Sequence, residues 1–452
     1  MEMSPADTKP ADRPAGGTSG TAGNRPPSLG EALPVWTKIG VTSFGGPAGQ
    51  IALMHRELVE ERGWMGHERF LHALNFCMLL PGPEAMQLAT YVGWRLNGTL
   101  GGLVAGLLFV LPGAAVVLAL SIAYAWYGQA PVVEAAFLGI KAAVLVIVVD
   151  ALLKVAKRAL HGAEAWAIAA LAFVAIFFFA VAFPIIVALA ALAGYLLARF
   201  APDRLPEADT TAFDAEPVTI SQTVRTAALW LAVWIAPLIA VSLLFPPVFT
   251  DVAVFFSKLA VVTFGGAYAV LAYMAQQAVG TYGWLSAPEM LDGLGLAETT
   301  PGPLILVTEF VGFLGAYREG GSPALVYGLL GALVTLWATF APCFLWIFTG
   351  APYVERLRAN PKLAGALRGV TAAVVGVILN LSLWFALHVI FKTVTATDYG
   401  PLRLWTPEIA SFQWDAALLS VLAALLIFGG RLGILTTLAI CAGVSLTLSA
   451  LL

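Results

Sequence analysis

"SFGGPAGQIALMH", residues 43–55, puts two glycines and a proline inside a chain that is otherwise mostly apolar. A helix in lipid avoids that combination. Gly-Gly weakens it, and Pro47 removes a donor and blocks the preceding turn. A second break of the same kind, "TFGGAYAVLAYM", follows at 263–274. Long apolar runs surround the two breaks, at roughly 99–127, 132–153, 164–181, 183–199, 224–246, 322–349, 366–391, 413–429 and 432–451. Each reads as a spanning helix, because about 20 apolar residues cross a bilayer.

The composition agrees. Of 452 residues, 60% are hydrophobic and 11% charged, and the mean hydropathy is +0.86. Soluble domains carry about 25% charged residues. The ten-residue alternation of a transmembrane barrel is absent. The expected fold class is therefore an all-α, polytopic membrane protein whose main partner is the lipid bilayer. A net charge of −3 gives no reason to expect nucleic acid. Cys77, Cys343 and Cys441 lie far apart in apolar stretches and form no CxxC, and the histidines form no HExxH. The expectation is no metal and no cofactor. No Walker-type phosphate loop and no dinucleotide fingerprint occurs, so transport would draw on a gradient.

Residues 1–30, rich in Pro, Gly, Ser and Thr, read as a disordered arm. Their Lys9, Arg13 and Arg25 favour the cytoplasmic side. The acidic, proline-bearing stretch 201–223 reads as a linker between a first half, 31–200, and a second half, 224–452. The halves repeat each other. Trp36-Thr-Lys38 matches Phe256-Ser-Lys258, and Phe44-Gly45-Gly46 matches Phe264-Gly265-Gly266. Gly63-Trp64 matches Gly283-Trp284, and Pro81-Gly82-Pro83 matches Pro301-Gly302-Pro303. All four matches share an offset of 220 residues. The stretch 137–150 resembles 367–380 at offset 230, as Pro112 does Pro342. Constant offsets across unusual residues signal an internal duplication. The unmatched helix near 224–246 adds one crossing, which would invert the second copy; inverted repeats with broken or re-entrant helices are a recurring transporter plan.

Irregular backbone survives at membrane depth only where protein surrounds it or water reaches it. A broken helix also makes a new N-terminus, whose free N–H groups and partial positive charge suit an anion. Four such starts, at the two Phe-Gly-Gly and two Pro-Gly-Pro breaks, would make an electropositive pocket if they converged. Lys38 and Lys258 precede the breaks by six residues and would add two charges, or else snorkel to the headgroups. Gly-Gly pairs also serve close helix packing. Gln50 and Gln87 have two readings, hydrogen bonding to an oxyanion or capping broken helix ends. Trp64 and Trp284 read as interfacial anchors. Glu84, in the first turn after Pro-Gly-Pro, either complements the dipole or titrates beside the substrate. Lys141, Asp150 and Glu309 are further coupling candidates. Charges at membrane depth are expected to face the bundle interior. Glu309 has only Thr90 as its counterpart in the first half.

The stretches "FGGPAGQIALMHRELVEERGW", "LLPGPEAMQLATYVGWRLNG", "TFGGAYAVLAYM" and "TTPGPLILVTEFVGF", in that order, resemble the chromate ion transporter family, in its long two-domain form. The resemblance covers about 31–451. It implies a multi-pass bacterial inner-membrane protein that exports chromate and confers chromate resistance, with sulfate as the natural competitor. Phe44, Gly45, Gly46, Pro47, Pro81, Gly82, Pro83, Glu84, Gln87, Phe264, Gly265, Gly266, Pro301, Gly302 and Pro303 match the motifs directly. Ala267 stands where the first half has Pro47, so the halves need not contribute equally. The expected function is a secondary transporter for a tetrahedral oxyanion. A sulfate transporter and an anion channel are the alternatives, and a homodimer is one expected assembly.

Overall fold

The computed structural model describes residues 27–44, 46–200, 219–264, 267–353 and 361–451. The expected arm lies outside the described residues up to position 26, and the expected linker up to position 218. The first half opens with α1 (Leu29–Thr42), started by a reciprocal Ser28–Glu31 capping box. α1 ends at the first break. α2 (Gly46–His55) follows and widens into a π-type turn over Arg56–Glu61. Next come α3 (His67–Cys77), α4 (Glu84–Tyr127), α5 (Pro131–Ala159), α6 (Ala163–Phe179) and α7 (Phe183–Phe200). α4 is bent at Asn97–Gly98, where Gly98 has φ +64°. α8 (Ile220–Leu244) is the unmatched helix.

The second half repeats this order: α9 (Pro247–Val262), α10 (Ala267–Ala275), a π-type turn over Gln276–Thr281, and α11 (Ala287–Thr299). After a short turn at Leu304–Leu306 come α12 (Val307–Glu319), α13 (Ala324–Gly350) and α14 (Pro361–Ile390). An antiparallel hairpin, β1 (Val394–Tyr399) and β2 (Leu402–Pro407), then precedes α15 (Trp414–Ala424) and α16 (Ile434–Leu451). The two π-type turns sit 220 residues apart, as the sequence matches do. The hairpin was not expected from the sequence. Its run is too short and polar to register against the flanking apolar helices, and Gly400 at φ +63° closes its turn.

Among the described residues, seven helices are long and apolar enough to cross a membrane, and 163–179 and 414–429 are shorter apolar helices. The chain is a multi-pass membrane protein built of helices, with two repeated regions.

Both broken regions are re-entrant hairpins. Lys38, four residues before the end of α1, pairs with Glu57, eleven residues beyond Gly46. That contact requires the two legs to run back beside each other. In the second half Phe255 on α9 meets Tyr282 beyond α10, ring centroids 5.5 Å apart. Trp284 corrects the anchor reading. It is buried, stacked on Tyr282 at 4.3 Å and covered by Gly315, because the hairpin folds its base into the protein. Trp64 is half-buried beneath the Arg62 guanidinium.

The halves exchange helices. α5 packs on α15 and α16 of the second half, and α14 packs on α6 and α7 of the first. The repeat-related Gly139 and Gly369 make these contacts tight, each abutting a backbone carbonyl of the other half, at Cys441 and Ala190. A side chain there would push the helices apart.

Candidate functional site

The two Pro-Gly-Pro tips lie at the centre of this exchange, and each is held by the opposite half. The Gly82 N–H donates to the Thr263 carbonyl at 2.8 Å. The Gly302 N–H donates to the Ser43 carbonyl at 2.9 Å. Ser43 and Thr263 are the residues just before the two Phe-Gly-Gly breaks, so the four breaks meet in two pairs, each joining the halves. The surrounding helices follow the same rule. Cys343 of α13 lies against Gly82, and its counterpart Gly113 of α4 lies against Pro301 and Gly302. Gly82 and Gly302 have φ +123° and +88°, which glycine alone adopts without strain.

This geometry uses two amides that the sequence reading left free for an anion. The donors that remain are in the first turns beyond the tips. No side chain caps α4 after Pro83, nor the turn after Pro303. The N–H groups of Glu84, Ala85 and Met86, and of Leu304 and Ile305, are in these turns, and the surroundings are largely buried. Uncapped amides at a helix start carry partial positive charge.

The glutamines serve the tips. Gln87 Nε2 donates to the Pro81 carbonyl at 2.7 Å. Gln50 Nε2 donates across the halves to the Gly302 carbonyl at 2.6 Å. Both Oε1 atoms are buried without a partner among the described residues. Valines 270 and 307 stand at the equivalent second-half positions, so this support is one-sided. Gln50→Leu would leave a buried carbonyl unsatisfied, a cost of about 1–3 kcal/mol. Initial chromate uptake is expected to fall about tenfold or more, since about 1.4 kcal/mol is a factor of ten. Measurement at equal membrane levels of protein checks this.

The other candidates separate. Phe44, Gly46, Pro47, Pro81 and Phe264 are half-buried, whereas Pro301, Gly302 and Pro303 are buried. Gly45, Gly265 and Gly266 lie outside the described residues. Lys38 is not turned to the tips. Its ammonium lies 2.6 Å from Glu57, which also takes Arg62 at 2.6 Å, and Glu57 is about 16 Å along the helix from Gly46. Lys258 is exposed on α9. Lys141 meets Asp292 at 3.1 Å, as a charge contact rather than an aligned hydrogen bond. Tyr124 donates to the other Asp292 oxygen at 2.8 Å. The sequence reading missed Asp292 and Tyr124, since the three residues come from three helices. Asp150 differs from the interior position expected of it. It pairs with Lys154 at 2.6 Å toward an exposed surface, where a neighbour one turn on supplies the counter-charge. Glu84 is half-buried at the start of α4. Glu309 is fully buried, and neither carboxylate oxygen has a partner among the described residues. No group of three or more metal-ligating side chains occurs among the described residues.

A family model described as chromate transporter matches residues 31–195 and 250–446, which together hold both hairpins and both tips. The chain belongs to the chromate transporter family. This transporter is 32% identical over 354 residues to the probable chromate transport protein of Synechococcus elongatus, covering 78% of this chain and 83% of that protein. It is 29% identical over 388 residues to the chromate transport protein of Cupriavidus metallidurans, covering 86% and 90%. It is 32% identical over 377 residues to the chromate transport protein of Pseudomonas aeruginosa, covering 81% and 83%. No solved structure matches the transporter. The family is one of membrane transporters, and its membership supports an oxyanion as the substrate.

Proposed function

We propose that this protein is a secondary transporter that moves chromate outward across the bacterial inner membrane and so confers chromate resistance. The observation that carries this reading is the pairing of the breaks across the halves, with uncapped amides just beyond both tips. A tetrahedral dianion matches amide donors at helix starts, and the curated relatives are named for chromate transport. Substrate sits between the tips, near Phe44, Gly46, Pro47, Gln50, Pro81, Gly82, Pro83 and Gln87. Phe264, Pro301, Gly302 and Pro303 face it from the second half. Gly45, Gly265 and Gly266 belong to the same breaks by sequence. Lys258 flanks the second hairpin and raises the local potential, whereas Lys38 is held by Glu57. The halves are inverted repeats and alternate access by rocking against each other. The N-terminal arm is cytoplasmic, and the assembly is a homodimer.

Uptake of chromate by everted vesicles, with and without sulfate and an imposed proton gradient, tests the function. Saturable chromate accumulation with counterflow is expected, with sulfate competing. Flux that neither saturates nor shows counterflow would mean a channel. Accumulation only in right-side-out vesicles would reverse the direction.

A further inference from the structure

We propose that Glu309 is a proton-binding site linked to the oxyanion site, so that the transporter binds chromate with a proton on Glu309. This rests on the oxyanion reading above and identifies what that site is coupled to.

The first observation is burial without a partner. Glu309 is 0% exposed, and both its carboxylate oxygens lack any hydrogen bond among the described residues. An ionised carboxylate in such a place costs several kcal/mol. The group is stable there with a proton on it, and a membrane-depth acid without a counter-charge is the usual mark of proton traffic.

The second observation is position. α12 and α13 run antiparallel, with Gly320 against Tyr327, Ala316 against Gly331 and Gly312 against Thr335. Continuing that register brings the 308–309 turn level with Thr339. The Thr339 hydroxyl is also buried without a partner among the described residues. Cys343, one turn further along α13, is the residue that lies against Gly82 of the first tip. Glu309 also follows Gly302 of the second tip by only seven residues. An acid so placed stands within a few turns of both tips.

The charged and titratable groups on the elements around α12 are committed or remote. α13 carries only Tyr327 and Cys343. On α11, Glu289 holds Arg318, Asp292 holds Lys141 and Tyr124, and Glu298 accepts from Tyr268. On α9, Asp251 and Lys258 are exposed, as is Arg95 on α4. On α12 itself, Tyr317 lies against Phe313 and Glu319 is exposed. Glu84, Tyr91, Tyr124 and Tyr127 complete the set on α4, and none of these groups bonds to Glu309. A negative Glu309 would repel a dianion at the tips, whereas the neutral acid does not. Proton and dianion therefore favour each other's binding, and the coupling is reciprocal. The balance is simple. Glu309 carries its proton while chromate is bound; where the empty site is ionised, the carboxylate gains that H⁺ from water as chromate enters and returns it as chromate leaves, and no bond in chromate changes. The first half has Thr90 at this position, satisfied by the Met86 carbonyl, so the linkage belongs to one half.

Calorimetric titration of the purified full chain in nanodiscs tests this. Chromate is titrated in buffers of different ionisation enthalpy, at pH values above those where chromate itself protonates. The wild type is expected to take up no proton where the chromate-free Glu309 already holds one, and close to one proton per chromate at the higher pH values where it is ionised. Its affinity should fall about tenfold per pH unit in that higher range. E309Q should bind with no proton uptake and less than about twofold dependence on pH. E309D, which restores a titratable group, should restore the uptake. Thermal denaturation of E309Q should be no earlier than wild type, because the amide stays neutral. Proton uptake by E309Q equal to that of the wild type across the pH range, or wild-type affinity that never falls and never gains proton uptake as pH rises, would overturn the proposal. No chromate binding by the wild type would instead overturn the oxyanion reading.

Discussion

Gly82→Ala is expected to cut initial chromate uptake at least about 30-fold, and Gly302→Ala to act in the same direction. At φ +123° a side chain other than hydrogen is strained by about 1–3 kcal/mol. The new methyl would also sit 2.7 Å from Gln87 Nε2 and 3.1 Å from Cys343 Sγ. Gln87 can swing away, but it would then release the Pro81 carbonyl it now satisfies. If the tip moves instead, the Gly82 N–H loses Thr263, and a buried unsatisfied amide costs about 1–3 kcal/mol. Two such terms sum to at least about 2 kcal/mol, or roughly 30-fold at about 1.4 kcal/mol per decade. At Gly302 the nearest atoms are Leu306 Cδ1 at 3.0 Å and Gly113 Cα at 3.4 Å, and the latter is backbone that cannot swing aside. Gly443→Ala is the control. Nothing lies within 4 Å of a side chain there, and uptake should match wild type. Uptake by Gly82→Ala within about twofold of wild type at equal protein level would mean that the tips are not held as described.

Asp292→Asn and Lys141→Met are each expected to destabilise the folded transporter by about 3–5 kcal/mol, because each leaves a buried charge alone. The pair is well enclosed, with side-chain exposures of 9% and 18%. Joining α5 of one half to α11 of the other, it also fastens the exchange of helices. The double variant Lys141→Met/Asp292→Asn should recover much of the loss, since neither charge then remains. Tyr124 can still donate to the amide carbonyl that the substitution of Asp292 introduces. Thermal melting of the purified proteins, read by loss of the monodisperse peak, gives the comparison. Additive losses in the double variant would show that the two residues do not act as a pair. The repeat-related positions carry no such pair. His72 is the counterpart of Asp292, and Thr371 that of Lys141. The fastening is therefore on one side only.

Much of this was legible in the chain itself. Hydropathy marks apolar runs locally, so all nine runs fall in helices, although among the described residues 163–179 and 414–429 are shorter than a span and the run from 99 belongs to a helix that starts at Glu84. Gly and Pro carry their backbone demands wherever they occur, so the re-entrant breaks at Phe44–Pro47 and Pro81–Pro83 announced themselves, as did their copies 220 residues on. Pairings between side chains were less visible. Lys38 read as a site cation, yet Glu57 draws it away from the tips. Trp284 read as an anchor, yet the hairpin buries it. Lys141 read as an isolated charge, because its partner is 151 positions away on another helix.

The sequence by itself determined that the protein spans the membrane, that it is a duplication, and where its helices must break, because each of these follows from local composition or from a constant offset. Only the tertiary structure decided that α5 and α14 cross into the opposite halves. It alone assigned the Gly82 and Gly302 amides to Thr263 and Ser43 and left Glu309 without a partner among the described residues. Those outcomes depend on which surfaces meet in three dimensions. A helix carries its polarity in its own residues, but the neighbour that satisfies or strands a given polar atom is chosen by packing.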